Sequence, residues 1–271
     1  ILNQLDQRWQ GEGEAFYETP RAIAKTMLVG IAWQERGKIL FPSGRFDWRR
    51  LERAIQRRNW ESIGGSPEWG SFDLIITNPS RSNSGQLTLS LWAQSKTRDP
   101  LAQALRTVET ESLFTLVKRS VYLPPRSTDT LLQEFIARGS NDADVATVYE
   151  SIALHRWEQA QTSRNQGYQI YYLDPTVETV STAGIVRRNV GRGTAKAAKT
   201  FLRFLREPEQ QAVFIQYGFR PAISDIDLSS VANSPWGKNI PGAEVNPNNQ
   251  VLPTPNAEEL EEIQRLWQRV P

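Results

Sequence analysis

FDLIITNPSRSNSGQ, residues 72–86, decides how this chain is read. Its first six residues are a largely apolar, β-branched run of strand length. Asn78 and Pro79 break the run. A turn dense in hydroxyl and amide side chains follows, through Ser80, Arg81, Ser82, Asn83 and Ser84. Leu87, Leu89, Leu91 and Trp92 open the helix predicted beyond it, although these positions alternate instead of sharing one helical face. A strand turning into a helix aims free backbone N–H groups and hydroxyls at one spot, where the helix dipole favours an anion. Ser80, Ser82 and Ser84 donate hydrogen bonds without charge, Asn78 and Asn83 orient the turn, and Arg81 adds a charged clamp. The same residue types are preferred N-caps for structural reasons alone, so ligand contact and capping stand as equal readings. The turn lacks the lysine of a phosphate-binding P-loop, which argues against a nucleotide.

Working outward, residues 27–33 (MLVGIAW) read as a strand buried on both faces. Residues 1–25 are polar and interrupted by Gly11, Gly13 and Pro20, as in a surface segment or short helix. Trp48, Leu51 and Ile55 recur at helical spacing, with Arg49, Arg50, Arg53, Arg57 and Arg58 as the solvated side. Pro100 starts a helix in which Leu101, Leu105, Val108, Leu113 and Leu116 fall close to one face. Residues 128–138 form another, stopped by Gly139. Residues 145–149 read as a short strand that delivers Tyr149 and Glu150 to a cleft edge, or as an ordinary strand-to-helix corner. Residues 168–173 and 183–186 are further strands. Ala198, Phe201, Leu202 and Leu205 mark a helix, and Pro208 sits at the first position of the next, which stops at Gly218. Residues 233–256, rich in Pro, Asn and Gly, read as an extended loop or linker. Leu260, Ile263, Leu266 and Trp267 make a terminal amphipathic helix. Strands alternating with helices predict α/β layers around a largely parallel sheet.

Composition narrows the function. The 271 residues suggest about two domains. Lys and Arg total 32 against 30 Asp and Glu, a net charge of +2, which is too small a footprint for wholesale nucleic-acid binding. Cysteine is absent, which excludes disulfides, thiol catalysis and cysteine–zinc sites. With a mean hydropathy of −0.51, no apolar run approaches the roughly 18 residues of a membrane span. His155 is the only histidine, and no G-x-S-x-G elbow supplies a nucleophile, so no catalytic residue, metal site or cofactor is predicted. Most of the nine tryptophans lie in apolar periodic contexts and read as core; Trp69, beside Gly70, is the one to watch. The chain starts at Ile1 without an initiator Met or leader and reads as a processed or excised product.

Three segments resemble the type 2 periplasmic binding proteins, the solute receptors of ABC importers, and within them the molybdate- and sulfate-binding-like group. Residues 72–86 are similar to the family's strand, turn and Ser/Gly-rich helix start that contacts ligand. Residues 144–151 (DVATVYES) resemble its second-lobe strand ending in a ligand-facing tyrosine. Residues 194–221, closing in VFIQYGFRP, resemble its late helix pair and recurrent YGFRP ending.

The resemblance implies the periplasmic binding protein-like II fold, an α/β architecture of two lobes joined by a crossing-strand hinge and closing on ligand. It implies that residues 1–41 and 171–271 form the first lobe, with hinge strands and a C-terminal extension, and that residues 42–170 form the second. Family members carry an early Ser/Gly ligand loop that residues 1–26 do not supply, so the expected first lobe is incomplete. The implied function is capture of a small polar or anionic solute between the lobes, without chemical change, for an ABC permease. The implied location is periplasmic or otherwise extracytoplasmic, compatible with a membrane anchor outside this sequence. Asn78, Ser80, Arg81, Ser82, Asn83 and Ser84 would form one wall of the ligand site, Tyr149 and Glu150 the opposite wall, and Tyr172 the hinge side. An ionised Glu150 facing the ligand would repel an oxyanion, making a cationic or neutral polar solute equally suitable. The alternative is a binding or scaffold module that kept the fold and lost transport, which the C-terminal extension favours.

Overall fold

The structure, a computed structural model, describes residues 5, 6, 9, 13–164, 166–223 and 226–271, so the expectation at Gly11 lies outside the described residues. The chain forms two compact units, residues 1–26 with 179–238, and residues 27–178 with 239–271. Residues 42–170 all belong to the second unit, and residues 27–41, 171–178 and 239–271 pack with them.

β1 (Arg21–Trp33) begins in the first unit and organises the second from residue 27 on; it starts before the apolar run, with Arg21 exposed and Ala22 and Ile23 partly buried. Its continuation runs through α1 (Gln34–Leu40) and α2 (Trp48–Arg57). Asp47 caps α2 by accepting from the Arg49 and Arg50 N–H groups at 2.8 and 3.1 Å. Trp48, Leu51, Ala54 and Ile55 turn inward, and the arginines face solvent, as their spacing predicts.

A short β2 (Leu74–Ile75) leads into α3 (Asn83–Thr97). Residues 84–93 of α3 are buried all round, which explains why its apolar positions do not keep to one face. The single helix expected after Pro100 is two: α4 (Leu101–Ala104) and α5 (Val108–Ser120). The break is at Thr107, whose side chain accepts from the Thr110 N–H at 3.2 Å and restarts the helix, leaving Val108 74% exposed. Next come α6 (Thr128–Arg138), ended by Gly139 at φ 73°, then β3 (Val145–Tyr149), α7 (Glu150–Arg164) and β4 (Tyr168–Tyr172).

The expected parallel sheet is mixed. β2 and β3 are parallel, but β1 runs antiparallel to β3 and β4, with Leu28 opposite Tyr149 and Val29 opposite both Val148 and Tyr172. Alternation of strands and helices told only that β3, α7 and β4 form a crossover. It carried no information that an opposed strand lies between β3 and β4.

One buried ion pair holds the beginnings of β2 and β3 in register. Arg36, 4% exposed, pairs with the fully buried Asp144, whose Oδ2 also accepts from Trp60 Nε1 at 3.0 Å and the Asp73 N–H at 2.7 Å. The guanidinium centre lies 5.5 and 5.4 Å from the Trp60 and Trp69 rings. Trp69 therefore has a structural occupation, meeting Trp60 edge-on with ring centroids 5.2 Å apart while both rings neighbour the cation. Burial lowers the Arg36 pKa, while the carboxylates of Asp73 and Glu35 act in the opposite direction.

β5 (Thr176–Ala183) begins in the second unit and ends in the first, so the strand expected at residues 183–186 lies earlier in the chain. Of the two readings for residues 233–256, extended loop or linker, residues 239–250 are loop, and from 239 on the segment is docked on the second unit. The Ile170 N–H donates to the Pro241 carbonyl at 2.9 Å, and the Thr176 N–H to the Gln250 carbonyl at 2.8 Å. β7 (Val251–Leu252) pairs in parallel with the start of β5. The terminal helix, α10 (Ala257–Arg269), carries an Asn256–Glu259 capping box and buries Ile263, Leu266 and Trp267 in the main core with α3 and α5.

The first unit is smaller. α8 (Arg192–Leu205) and α9 (Pro208–Gln216) pack with the outer part of β1, where β6 (Arg220–Pro221) pairs opposite Ala24 and Lys25. Gln211 is fully buried and joins three segments. Its Nε2 donates to the Ile23 and Leu205 carbonyls at 2.9 and 2.7 Å, and its Oε1 accepts from the Ala222 N–H at 2.7 Å.

Candidate ligand site

The turn between β2 and α3 is shaped first by its backbone. The Asn78 N–H donates to the Pro125 carbonyl at 2.8 Å, and the Asn78 carbonyl accepts from the Arg81 and Ser82 N–H groups at 2.9 and 2.8 Å. Asn78 Oδ1 accepts from the Ser80 N–H at 2.9 Å, a local turn of the kind asparagine favours. Gly85 then lets α3 start against the strand end. A Cβ there would lie 2.3 Å from the Thr77 carbonyl oxygen, which is backbone and cannot move aside.

A chain of hydroxyls sits beneath. Ser84 Oγ lies 2.8 Å from Thr77 Oγ1, 2.7 Å from Thr128 Oγ1 and 3.1 Å from Ser82 Oγ. A hydroxyl has one proton and two lone pairs, so these three neighbours use the full capacity of Ser84. Ser84 is 1% exposed and acts as a hub within the protein. Ser82 is half-buried, and its hydroxyl keeps capacity beyond its bond to Ser84. Deeper in, Thr88 Oγ1 lies 2.7 Å from Thr147 Oγ1 and 2.8 Å from the Ser84 carbonyl.

The capping alternative has a clear outcome. Ser82 occupies the N-cap position of α3, yet its side chain makes no capping bond, and the first turn holds no acidic residue. The first-turn N–H groups have no intrahelical partner by construction, so this end stays locally positive. Arg81 is exposed beside it.

Nearby, Asn83 Nδ2 donates to Tyr149 OH at 3.0 Å, joining the α3 start to the end of β3. Glu150 and Tyr172 are differently placed. Glu150 is fully buried, and Tyr172, 6% exposed, donates its hydroxyl to Glu150 Oε1 at 2.5 Å. The Tyr172 oxygen also accepts from the Glu244 N–H at 3.1 Å. All nine candidate residues belong to the second unit. The structure gathers the turn residues with Tyr149, and pairs Glu150 with Tyr172. Thr77, Thr88, Thr128 and Thr147 escaped the sequence reading. Threonines inside apolar strand runs were a usable signal for Thr77 and Thr147, whereas nothing near residue 128 announced its partner 44 residues earlier. Among the described residues, no three His, Asp or Glu side chains gather as a metal site.

Comparison with protein families matches residues 6–220 to a family described as bacterial extracellular solute-binding protein. The chain belongs to this family. The match spans both units, and the activity of the family is binding.

Solved structures of solute-binding proteins share the fold. A periplasmic thiamin-binding protein aligns at TM-score 0.59 and 15% identity, over 96% of this chain and 68% of that one. The substrate-binding protein of an ABC transporter from Agrobacterium tumefaciens aligns at 0.59 and 14%, over 93% and 66%. The sulfate-binding protein SubI from Mycobacterium tuberculosis H37Rv aligns at 0.52 and 20%, over 95% and 71%. No curated protein matches the chain.

Proposed function

We propose that this extracellular solute-binding protein captures a small oxyanion at the β2–α3 turn and delivers it to an ABC permease. The observation that carries the reading is the uncapped, acid-free start of α3 lying over a hydroxyl chain that ends at half-buried Ser82. If Thr77 and Thr128 donate to Ser84, and Ser84 to Ser82, the Ser82 proton is left to point at a ligand. An anion stabilises that ordering, because each hydroxyl polarises the next towards it. First-turn N–H groups add further donors, and Arg81 adds the attraction of a full charge. Asn78 and Ser80 shape the turn, and Asn83 with Tyr149 forms its flank. Glu150 is fully buried and its Oε1 accepts from the Tyr172 hydroxyl, a charge-assisted bond that takes up part of its acceptor capacity.

In this reading the two compact units correspond to the two lobes of the family fold, and the protein acts in the periplasm or at the outer cell surface, with or without a membrane anchor. The test is thermal unfolding against sulfate, molybdate, phosphate, amino acids, sugars and polyamines. A ligand at a thousandfold excess over its dissociation constant should stabilise the protein by about 4 kcal/mol. Stabilisation by oxyanions that Ser82→Ala weakens about fivefold or more is the expected result, since one lost hydrogen bond is worth about 1 kcal/mol. Stabilisation confined to polyamines or amino acids would overturn the oxyanion assignment.

A further inference from the structure

A polar cleft of about 740 Å³ opens in the second unit away from the β2–α3 turn. Gln34 and Glu35 at the start of α1, Trp157 and Gln161 on α7, and Gln166 and Asn239 line it. Tyr149 faces Leu28 on β1, whereas the cleft begins just beyond Trp33. At about 3.3 Å per residue, that run of β1 separates the two places by roughly 17 Å. The volume falls within the range of pockets that hold small molecules.

The lining is chemically specific. Four of the seven lining side chains, the seventh being Pro241, are carboxamides, and none of these makes a side-chain hydrogen bond among the described residues. Each offers paired donors and an acceptor to whatever enters. Trp157 has already spent its Nε1–H on the Tyr168 carbonyl at 3.0 Å, so it presents only ring carbons. Glu35 is exposed and accepts hydrogen bonds, and none of the described lining side chains carries positive charge. An anion would meet the exposed Glu35 carboxylate, while the guanidinium of the neighbouring Arg36 is buried against Asp144. An apolar ligand would strip water from the carboxamides without replacing it. Sugars fit both demands: neighbouring hydroxyls each donate and accept, matching carboxamides and a carboxylate, while C–H faces pack on an indole.

We propose that this cleft binds an uncharged saccharide, independently of the solute held at the β2–α3 turn. The test is calorimetric titration of the full chain with glucose, maltose, maltotriose and cellobiose at millimolar concentration. At least one should bind saturably, and Gln161→Leu and Asn239→Gly should each weaken it about tenfold without changing the thermal midpoint, as loss of one or two hydrogen bonds requires. Ser82→Ala should leave saccharide affinity unchanged. Absence of binding to every sugar, affinity insensitive to both cleft variants, or loss of binding in Ser82→Ala would each overturn the proposal.

Discussion

Three hydroxyl oxygens lie within 3.1 Å of Ser84 Oγ, so its removal strands those neighbours. Ser84→Ala should lower stability by about 1–3 kcal/mol, the cost of leaving buried hydroxyls unmet, and urea denaturation measures it directly. Ser82→Ala should barely change stability while weakening ligand, because Ser82 is half-buried and singly bonded within the protein. That contrast separates a hub from a contact residue. Asp144 presents the opposite case of a fully buried charge with a buried partner, Arg36. Asp144→Ala should cost about 3–5 kcal/mol, since it leaves a guanidinium buried without its counter-charge. Tyr171 supplies a pH dependence. Burial pushes its hydroxyl up to about 12 from 10.0, and burial also raises Tyr168. The unfolded chain loses these protons near pH 10 while the fold retains them, so stability is full below pH 10 and falls as pH rises from 10 towards 12. Denaturation midpoints across that window should fall less steeply in Tyr171→Phe.

At the scale of elements, the start of α3 depends on Gly85 meeting the Thr77 carbonyl, where a Cβ would stand 2.3 Å away. Gly85→Ala should displace α3 from the end of β2, lowering the thermal midpoint and weakening ligand together, even though no donor is removed. The resulting loss of binding would exceed that from Ser82→Ala if the helix start holds the solute. α10 is equally integral to its unit. Trp267, 6% exposed, sits in the main core, and Lys118 Nζ donates to the carbonyls of Trp267 and Val270 at 3.0 and 2.7 Å. Trp267→Ala should destabilise by about 3–5 kcal/mol, as truncation of a buried tryptophan does elsewhere. A helix that merely docked a partner would lose almost nothing.

At the scale of the whole molecule, the two units are unequal in core. The main cluster, from Leu28 to Val270, belongs to the second unit, whereas a separate cluster in the first rests on Ile185, Ala195 and Leu202. The first unit also leaves Phe201, Phe204 and Tyr217 57, 42 and 53% exposed. Fewer buried contacts mean cheaper local opening. Hydrogen exchange should therefore replace the amide protons of α8 before those of α3, and oxyanion should slow exchange most at the first turn of α3.

Much of this was readable in residues 72–86. A β-branched run, a Pro-broken turn and small hydroxyl residues determine their local conformations through sterics and short-range hydrogen bonds, and so locate the turn without the rest of the chain. Helix punctuation at Gly139 and Pro208 is legible for the same reason. Other features had no local signature. The antiparallel placement of β1, the use of Glu150 by Tyr172, and the meeting of Ser84 with Thr128 all join residues far apart in the chain. Composition made 233–256 read as an extended loop or linker without choosing between them, because proline and asparagine report backbone preference and say nothing about a carbonyl docked on Ile170. Local residue types decided what each segment could offer; only the tertiary structure decided which offers were taken internally, because a hydrogen bond can be spent once.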